Sequence, residues 1–454
     1  MKLLFTLAAF ALALGLLIVF HELGHYWLAR LCRVKVLRFS IGFGKPIWKR
    51  RFVKDGTEWV LAAFPFGGYV KMVDENEGQV APQDLPRAFN RQPVYRRFGI
   101  VLAGPVANFL LAILLYWVLY VHGVPGLKPI IGPVPAASPA ALAGFKEEET
   151  ILKINGESMV TWQDVRWLLL QQAVKKSVVN VEVTNPRGEI TWHKLDLSGL
   201  TVSDLDTDFM KSLGLSRYQP QVEPIIGQLV PGGPAERGGL MPDDEILAIN
   251  GEKVALWDDV VRLVRSHPSQ ILEFEIKRGK QRLAITLTPE TVKDNGEQIG
   301  RIGAAPKIDR AALQLLLAEE KYPFGQAFLK SLKKTWETSA FSLKMLGEML
   351  VGEISWKNVS GPITIADYAG QSAQIGWEAY LNFLALISIS LGVLNLLPVP
   401  LLDGGHLMYY VVEILKGKPV SEKVQQIGQH IGIALLFILM AFAIYNDINR
   451  LITG

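Results

Sequence analysis

The chain has few of the residues that build disulfide-linked or cysteine-rich structures. Its 454 residues include one cysteine, Cys32, which excludes an intrachain disulfide bond and a cysteine-rich zinc site. Positive and negative charges nearly cancel, with a formal net charge of +4. Nothing in the overall charge therefore points to a nucleic acid partner.

The first part of the chain also lacks charge. Residues 3–20 contain no charged side chain and no strong helix breaker apart from Gly15. Half of the chain is hydrophobic and the mean hydropathy is +0.23, which favours a protein with both membrane and aqueous parts. We predict a first transmembrane helix over residues 1–32. A cleaved signal peptide is the alternative, but the cleavage-like Ala11-Leu12-Ala13 comes too early in the apolar run.

The segment His21-Glu22-Leu23-Gly24-His25 follows this apolar run. On a helix the two histidines lie one turn apart on the same face, which suits two ligands of a tetrahedral zinc ion. Glu22 stands beside the first ligand and can reach a water at the metal as a general base. Ionisable residues inside a membrane are costly, which favours a functional interpretation. The alternative is a chance pentapeptide at a helix end, and a third ligand elsewhere in the chain is needed to exclude it.

Residues 33–97 are rich in glycine, aromatic and basic residues. Strands are predicted at 34–41, 47–53 and 58–64, and Lys54-Asp55-Gly56 predicts a hairpin turn. Lysine and arginine cluster in this segment, so the positive-inside rule places it on the cytoplasmic side and the N-terminus outside. The sheet either dips into the membrane under a cover of protein or forms a cytosolic linker, and the sequence leaves both open.

Three further apolar runs predict membrane helices. The second span, residues 98–121, carries Ala103-Gly104-Pro105 and Asn108, and proline and asparagine are costly within a membrane. The third span, 380–402, runs into two prolines and a diglycine that break the helix. A cytoplasmic segment over 403–427 and a fourth span over 428–448 follow. Both termini are then expected outside.

The region between the second and third spans contains an internal repeat. Ile154-Asn155-Gly156-Glu157 recurs 95 residues later as Ile249-Asn250-Gly251-Glu252, and the other matched pairs share this offset. Short strands with one helix per copy predict tandem α/β modules over 122–218 and 219–306. An amphipathic helical pattern over 307–379 fits either a helix on the membrane surface or one that packs against the modules.

The repeated motifs resemble those of PDZ domains, which capture extended peptides at a sheet edge. The second copy matches better, and Gly239, Leu240 and Ile246 are its candidate groove residues. The first copy has Phe145 and Glu149 in place of the leucine and aspartate of the second. The alternative is that both modules act as rigid spacers or size filters.

The third zinc ligand must come from far along the chain. Leu28 and Leu31 replace the glycine and histidine that a metzincin requires, and no acid follows Glu22 at the distance that other soluble zinc proteases use. Asp403 directly follows the helix break that ends the third span, at the depth expected for the first motif. His406 lies close by and is the more usual type of zinc ligand, so both residues remain candidates.

Taken together, the motifs resemble the site-2 protease family of zinc intramembrane metalloproteases. The resemblance covers essentially the whole chain. It rests on the PDZ-like modules and on four segments: the histidine motif, Phe64-Pro65-Phe66-Gly67-Gly68-Tyr69-Val70-Lys71-Met72, Ala103-Gly104-Pro105-x-x-Asn108 and Asn395-x-x-Pro398-x-Pro400-x-x-Asp403-Gly404-Gly405. It implies one Zn²⁺ per chain, bound by His21, His25 and Asp403, with Glu22 as the base. It also implies substrate contacts, which fall on Asn395, Pro398, Pro400, Gly67, Gly68 and Tyr69.

The same resemblance implies a polytopic α-helical membrane protein with four transmembrane helices, a membrane-associated β-hairpin or sheet and two tandem PDZ domains (α/β) on the periplasmic side. The chain is expected in the inner membrane of a bacterium, with the active site in the membrane toward the cytoplasm. Expected partners are the lipid bilayer and single-span substrates, such as an anti-sigma factor after a first cleavage and remnant signal peptides, and no nucleic acid.

Two other functions stay under consideration. One is a catalytically inactive, membrane-anchored PDZ scaffold with a structural metal, although such a site has no use for an adjacent base. The other is a metal transporter, which needs polar residues in several spans, whereas the second and fourth spans offer few. The sequence does not determine the oligomeric state.

Overall fold

A computed structural model of the chain describes residues 2–51, 56–201, 208–294, 297–307, 314–356 and 359–453. The chain divides into two compact units, one of residues 1–124 and 319–453 and the other of residues 125–200 and 208–318. Lys54 and Asp55 of the predicted hairpin turn lie outside the described residues.

The helices and strands are numbered along the chain. The helices are α1 (Lys2–Leu31), α2 (Val94–His122), α3 (Pro139–Ala143), α4 (Trp162–Ala173), α5 (Phe209–Leu213), α6 (Pro234–Arg237), α7 (Trp257–Arg265), α8 (Phe324–Leu350), α9 (Pro362–Ile375), α10 (Trp377–Asn395), α11 (Asp403–Lys416) and α12 (Glu422–Thr453), and a 3-10 helix spans Pro82–Arg87. The strands are β1 (Val36–Arg51), β2 (Glu58–Met72), β3 (Val124–Leu127), β4 (Thr150–Ile154), β5 (Glu157–Ser158), β6 (Val178–Thr184), β7 (Ile190–Asp196), β8 (Ile226–Leu229), β9 (Glu245–Ile249), β10 (Glu252–Lys253), β11 (Leu272–Arg278), β12 (Gln281–Leu287), β13 (Glu290–Asp294), β14 (Glu297–Arg301), β15 (Ala304–Pro306) and β16 (Leu317–Glu320).

Within the described part of the chain, four helices are long and apolar enough to cross a membrane: α1, α2, α10 and α12. Each contains an apolar stretch of the roughly 20 residues that a bilayer requires. Helices α2 and α12 begin at Val94 and Glu422, several residues before the predicted membrane spans, which start at 98 and 428. Hydropathy marks the part of a helix that suits lipid, and the hydrogen-bonded helix continues beyond it.

The first unit is held together by close packing of α1 against α2. A Cβ atom added to Gly24 would lie 2.2 Å from the carbonyl oxygen of Ala103, so only glycine allows the two backbones to approach this closely. Leu17 of α1 and Leu119 of α2 are almost completely buried in the same apolar cluster, which Ala385 of α10 joins. The glycine inside the histidine motif therefore serves helix packing.

Strands β1 and β2 form a bent sheet beside α1. The part of β1 around Phe39 pairs with two parts of β2, one on each side. Phe39 lies opposite Val70 on one side and opposite Trp59 on the other. Phe39 is fully buried, and its ring stacks on Trp59 and packs edge-on against Tyr26 of α1. The segment around Val70 has a strand partner on one side only among the described residues, so it forms an edge of the sheet.

The second unit contains two similar four-stranded sheets. Their strand orders are β5-β4-β6-β7 and β10-β9-β11-β12, which are equivalent. Asn155 and Asn250 occupy matching left-handed turns, with φ of 50° and 48°, and each side-chain oxygen accepts a hydrogen bond from the backbone of the neighbouring strand. The 95-residue sequence repeat therefore corresponds to a structural repeat.

A candidate zinc centre on three helices

Helix α1 places the two motif histidines on one face. His21 and His25 lie one turn apart, and their rings pack edge-to-face with centroids 4.8 Å apart. Their Nε2 atoms are 3.2 Å apart. Two nitrogen atoms with lone pairs that point to the same small volume are a suitable pair of metal ligands.

The broken segment after α10 brings an acid to this pair. Gly404 and Gly405 allow the preceding backbone to fold back on the start of α11, because a Cβ atom at either position would lie 2.2 Å from Leu397 O or 2.5 Å from Val399 O. Asp403 is the first residue of α11, where the positive end of the helix dipole favours a carboxylate. The diglycine is therefore required by the fold of the break.

The three ligand atoms converge closely. Asp403 Oδ2 lies 3.1 Å from His21 Nε2 and 3.5 Å from His25 Nε2. A tetrahedral zinc ion with bonds of about 2.0–2.1 Å separates its ligand atoms by about 3.3–3.5 Å, which agrees with these distances. Among the described residues, His21, His25 and Asp403 form the cluster of potential metal ligands, and His406 is not part of it.

The immediate surroundings also fit a metal ion. Asp403 Oδ2 is buried and accepts no hydrogen bond of good geometry, which would be costly for a carboxylate without a cation. A Cβ atom at Gly104 would lie 2.2 Å from His25 Nε2 and 2.8 Å from His21 Cε1, so this glycine keeps the space beside both rings open. Two imidazoles and one carboxylate are the donor set of many catalytic zinc sites.

One face of α2 supports the three residues. Arg97, Ile100, Gly104 and Asn108 are spaced by three or four residues and therefore share a face of the helix. The carbonyl oxygen of Ile100 lies 2.8 Å from His25 Nδ1, which it can hold as the N–H donor so that Nε2 is free for a metal.

The first residue on this face joins α2 to the helix that starts with Asp403. Arg97 donates a hydrogen bond of 2.6 Å to Glu413 of α11, and its guanidinium lies 5.0 Å from the ring centroid of Tyr410. Sequence reasoning missed Ile100 because it acts through its backbone. It counted Arg97 only among the basic residues that indicate topology, and Asn108 only as a costly polar residue and as part of a family motif.

Glu22 lies against the sheet. Its side chain is 8% exposed, and a Cβ atom at Gly68 of β2 would lie 2.8 Å from Glu22 Cγ. Gly67 has a φ of 131°, and a Cβ atom there would lie 2.3 Å from the Phe43 ring. Tyr69, which follows the glycine pair, stacks on Phe43. The glycine pair therefore lets the edge of the sheet pass directly beside Glu22.

The other residues expected to contact substrate lie around the helix break. Asn395 is the last residue of α10 and is half-buried. Pro398 is exposed, and Pro400 packs against α12, where a Cβ atom at Gly432 would lie 2.7 Å from its carbonyl oxygen. The described contacts do not join these three residues to the zinc ligands directly.

The structure places the residues predicted to form the peptide groove of the second module in and beside its core. Leu240 and Ile246 are 2% and 0% exposed and belong to the apolar core of this copy, and Gly239 lies in a left-handed turn. A cavity of about 420 Å³ lies instead between α7 and the edge around β15, with a lining that includes Val230, Trp257, Val260, Val261, Val264, Ile302 and Ala304. Leu240 and Ile246 therefore contribute to the core of the module, and their role in peptide binding stays a prediction.

Comparisons with known proteins identify the family of this chain. The model of peptidase family M50 matches residues 9–439. The chain is 41% identical over 448 residues to the regulator of sigma-E protease RseP of Escherichia coli strain K12, covering 99% of each chain. It is 40% identical over 453 residues to the protease RseP of Yersinia pestis, covering 99% of this chain and 100% of the relative. A Neisseria meningitidis serogroup A protein named as a zinc metalloprotease is 41% identical over 449 residues, covering 98% of this chain and 99% of the relative. The chain therefore belongs to peptidase family M50, the site-2 proteases, and is a zinc-dependent intramembrane metalloprotease.

Proposed function

We propose that His21, His25 and Asp403 bind the catalytic zinc ion and that Glu22 is the general base. The observation that carries this assignment is the convergence of three potential ligand atoms within 3.1–3.5 Å of one another. Asp403 is preferred to His406 because it belongs to this cluster. The glutamate beside the cluster favours catalysis over a purely structural metal site.

Zinc, when bound there, supplies a Lewis acid that activates water and polarises the scissile carbonyl. The Glu22 carboxylate takes the proton of the attacking water and later donates it to the leaving amine. The contact with Gly68 limits the positions that the Glu22 side chain can adopt, so the base is oriented before substrate arrives. Because Glu22 is buried, few waters compete for its carboxylate.

The substrate is proposed to bind as an added strand at the edge of β2 beside Glu22. Peptide bonds within a transmembrane helix are shielded by their own hydrogen bonds, so the helix must unwind before hydrolysis. The edge that includes Gly67, Gly68 and Tyr69 offers backbone partners to the unwound segment. Asn395, with Pro398 and Pro400 around the break after α10, is the proposed contact on the opposite side of the substrate.

The substrate class follows from the same reasoning and from the names of the relatives. We propose single-span membrane proteins, with an anti-sigma factor after a first cleavage and remnant signal peptides as the leading examples. The two modules at 122–218 and 219–306 are proposed to be PDZ domains on the periplasmic side. This topology puts both termini outside and the zinc site toward the cytoplasm, as the distribution of lysine and arginine favours.

The assignment of the base is tested with Glu22→Gln in the full-length protein, reconstituted in liposomes with a single-span substrate. The variant keeps the shape of the side chain but cannot accept the proton, so cleavage should fall roughly 100-fold or more while zinc content stays at one ion per chain. Cleavage at the wild-type rate would contradict the role of Glu22. His21→Ala is the matched variant for the ligand assignment, and it should lose zinc itself.

A further inference from the structure

A buried amide on α2 faces the zinc ligand His21. Asn108 is completely buried, and its Nδ2 lies 3.4 Å from His21 Nδ1. The other amide atom, Oδ1, is buried without a hydrogen-bond partner. Burying an amide oxygen without a partner is unfavourable, so its position next to the proposed metal site calls for a reason.

The proton on His21 supplies that reason. An imidazole whose Nε2 binds a metal carries its proton on Nδ1, and that N–H needs an acceptor. Asn108 Nδ2 cannot accept this hydrogen bond, whereas Oδ1 can. A half-turn of the amide about its last side-chain bond exchanges the two atoms and brings Oδ1 to face His21 Nδ1.

We propose that Asn108 is a positioning residue for the zinc site, whose amide accepts the Nδ1 proton of His21 when zinc binds. With zinc absent, His21 carries its proton on Nε2, next to Asp403, and Asn108 donates to Nδ1. A carboxamide serves both states because it is a donor on one side and an acceptor on the other. His25 has only an acceptor at the equivalent place, the carbonyl oxygen of Ile100, so the two histidines are held in different ways.

A neighbouring serine provides the control for structural effects. Ser388 of α10 is also completely buried, and its hydroxyl donates a hydrogen bond of 2.7 Å to the backbone oxygen of the same Asn108. Ser388→Ala removes a buried hydrogen bond at this residue without touching the amide. A loss of zinc binding that came only from loosened packing of α2 would therefore occur in this variant as well.

The inference rests on the proposed ligation of zinc by His21, and the test separates the two. Zinc affinity of the purified full-length protein in detergent is measured by competition with a chromogenic chelator. The d–d spectrum of the cobalt-substituted protein reports the ligand geometry. Asn108→Leu, which is close in size but offers no acceptor, should bind zinc 10–100-fold more weakly and change the cobalt spectrum. Asn108→Asp, which keeps an acceptor, should bind zinc within about twofold of the wild type or more tightly.

Each outcome decides the matter. Unchanged zinc affinity in Asn108→Leu overturns the inference, and so does an equal loss in Asn108→Leu and Ser388→Ala. If Asn108→Leu does not fold, Asn108→Asp decides, because a loss of tenfold or more in a folded protein that retains the acceptor contradicts the proposed role. If His21→Ala keeps wild-type zinc affinity, the ligand assignment fails instead.

Discussion

At the scale of single residues, glycine contributes as much to this site as the groups that carry chemistry. Gly24 allows α1 to touch α2, Gly104 leaves room beside both imidazoles, and Gly68 lets the sheet reach Glu22. In each case the nearest atoms would overlap a Cβ atom. The histidine motif can therefore adopt this arrangement only where the neighbouring residues are small enough to leave room for its side chains and backbone.

Gly104→Ala tests this view. The added methyl group would overlap His25 Nε2, which would force the ring out of position, and zinc affinity should fall roughly 10–100-fold. Metal content after dialysis and chelator competition measure the effect. Gly15→Ala on α1 is the control, since a Cβ atom there meets nothing within 4 Å. A Gly104→Ala protein with wild-type zinc content would show that the rings can move aside at little cost.

At the scale of elements, α2 acts as the support on which the site is assembled. It holds His25 through the Ile100 carbonyl, faces His21 with Asn108 and holds α11 through the bond from Arg97 to Glu413. α11 in turn begins with Asp403. Two devices at opposite ends of α11 therefore position Asp403, the proposed third ligand: the diglycine at the start of the helix and the ion pair near its end.

Glu413→Ala tests the second device. Its removal leaves the guanidinium of Arg97, which is 15% exposed, without its carboxylate partner and frees the far end of α11. Misplacement of Asp403 should lower zinc affinity and kcat by roughly tenfold, measured by chelator competition and by cleavage of a reconstituted substrate. Arg91→Ala is the control, since it breaks an exposed pair with Glu75 and should leave both quantities unchanged. Equal effects of the two variants would argue against a positioning role for Glu413.

At the scale of the whole molecule, the chain combines a helical unit that carries the proposed zinc site with a separate unit built from two copies of one module. Each copy has its own four-stranded sheet and its own helices. If the modules stand on the outer side as proposed, they add bulk on the face from which a large substrate domain would approach. The proposed effect is discrimination by size before the substrate reaches the membrane.

Substrate trimming tests this role. A single-span substrate with its outer domain intact should be cleaved roughly tenfold or more slowly than the same substrate after trimming, a difference of about 1.4 kcal/mol or more in the barrier. Replacement of residues 125–318 by a flexible linker should remove the difference while cleavage of the trimmed substrate continues. The assay uses purified protein in liposomes, with Glu22→Gln as the inactive control. Equal rates for both substrates in the intact protein would contradict a size filter.

Much of this organisation is readable from the sequence, and local physics explains why. The four membrane spans are predicted from the length of the apolar runs. Helices α2 and α12 extend beyond these runs because hydropathy does not report where a helix ends. The two similar modules are predicted from the constant offset of 95 residues between their matching motifs. The pairing of the two histidines follows from the 3.6-residue period of a helix, which places His21 and His25 together without any tertiary contact.

The choice between Asp403 and His406 could not be made in this way. Both lie within one turn of α11, so periodicity treats them alike, and 378 residues separate Asp403 from His25. The tertiary structure brings Asp403 to the imidazoles because the broken segment folds back on its own glycines. The same packing sets Gly68 beside Glu22 and turns one face of α2 toward the ligands. The sequence by itself determined which groups are available for zinc chemistry, and close contact between distant backbones decided which of them meet.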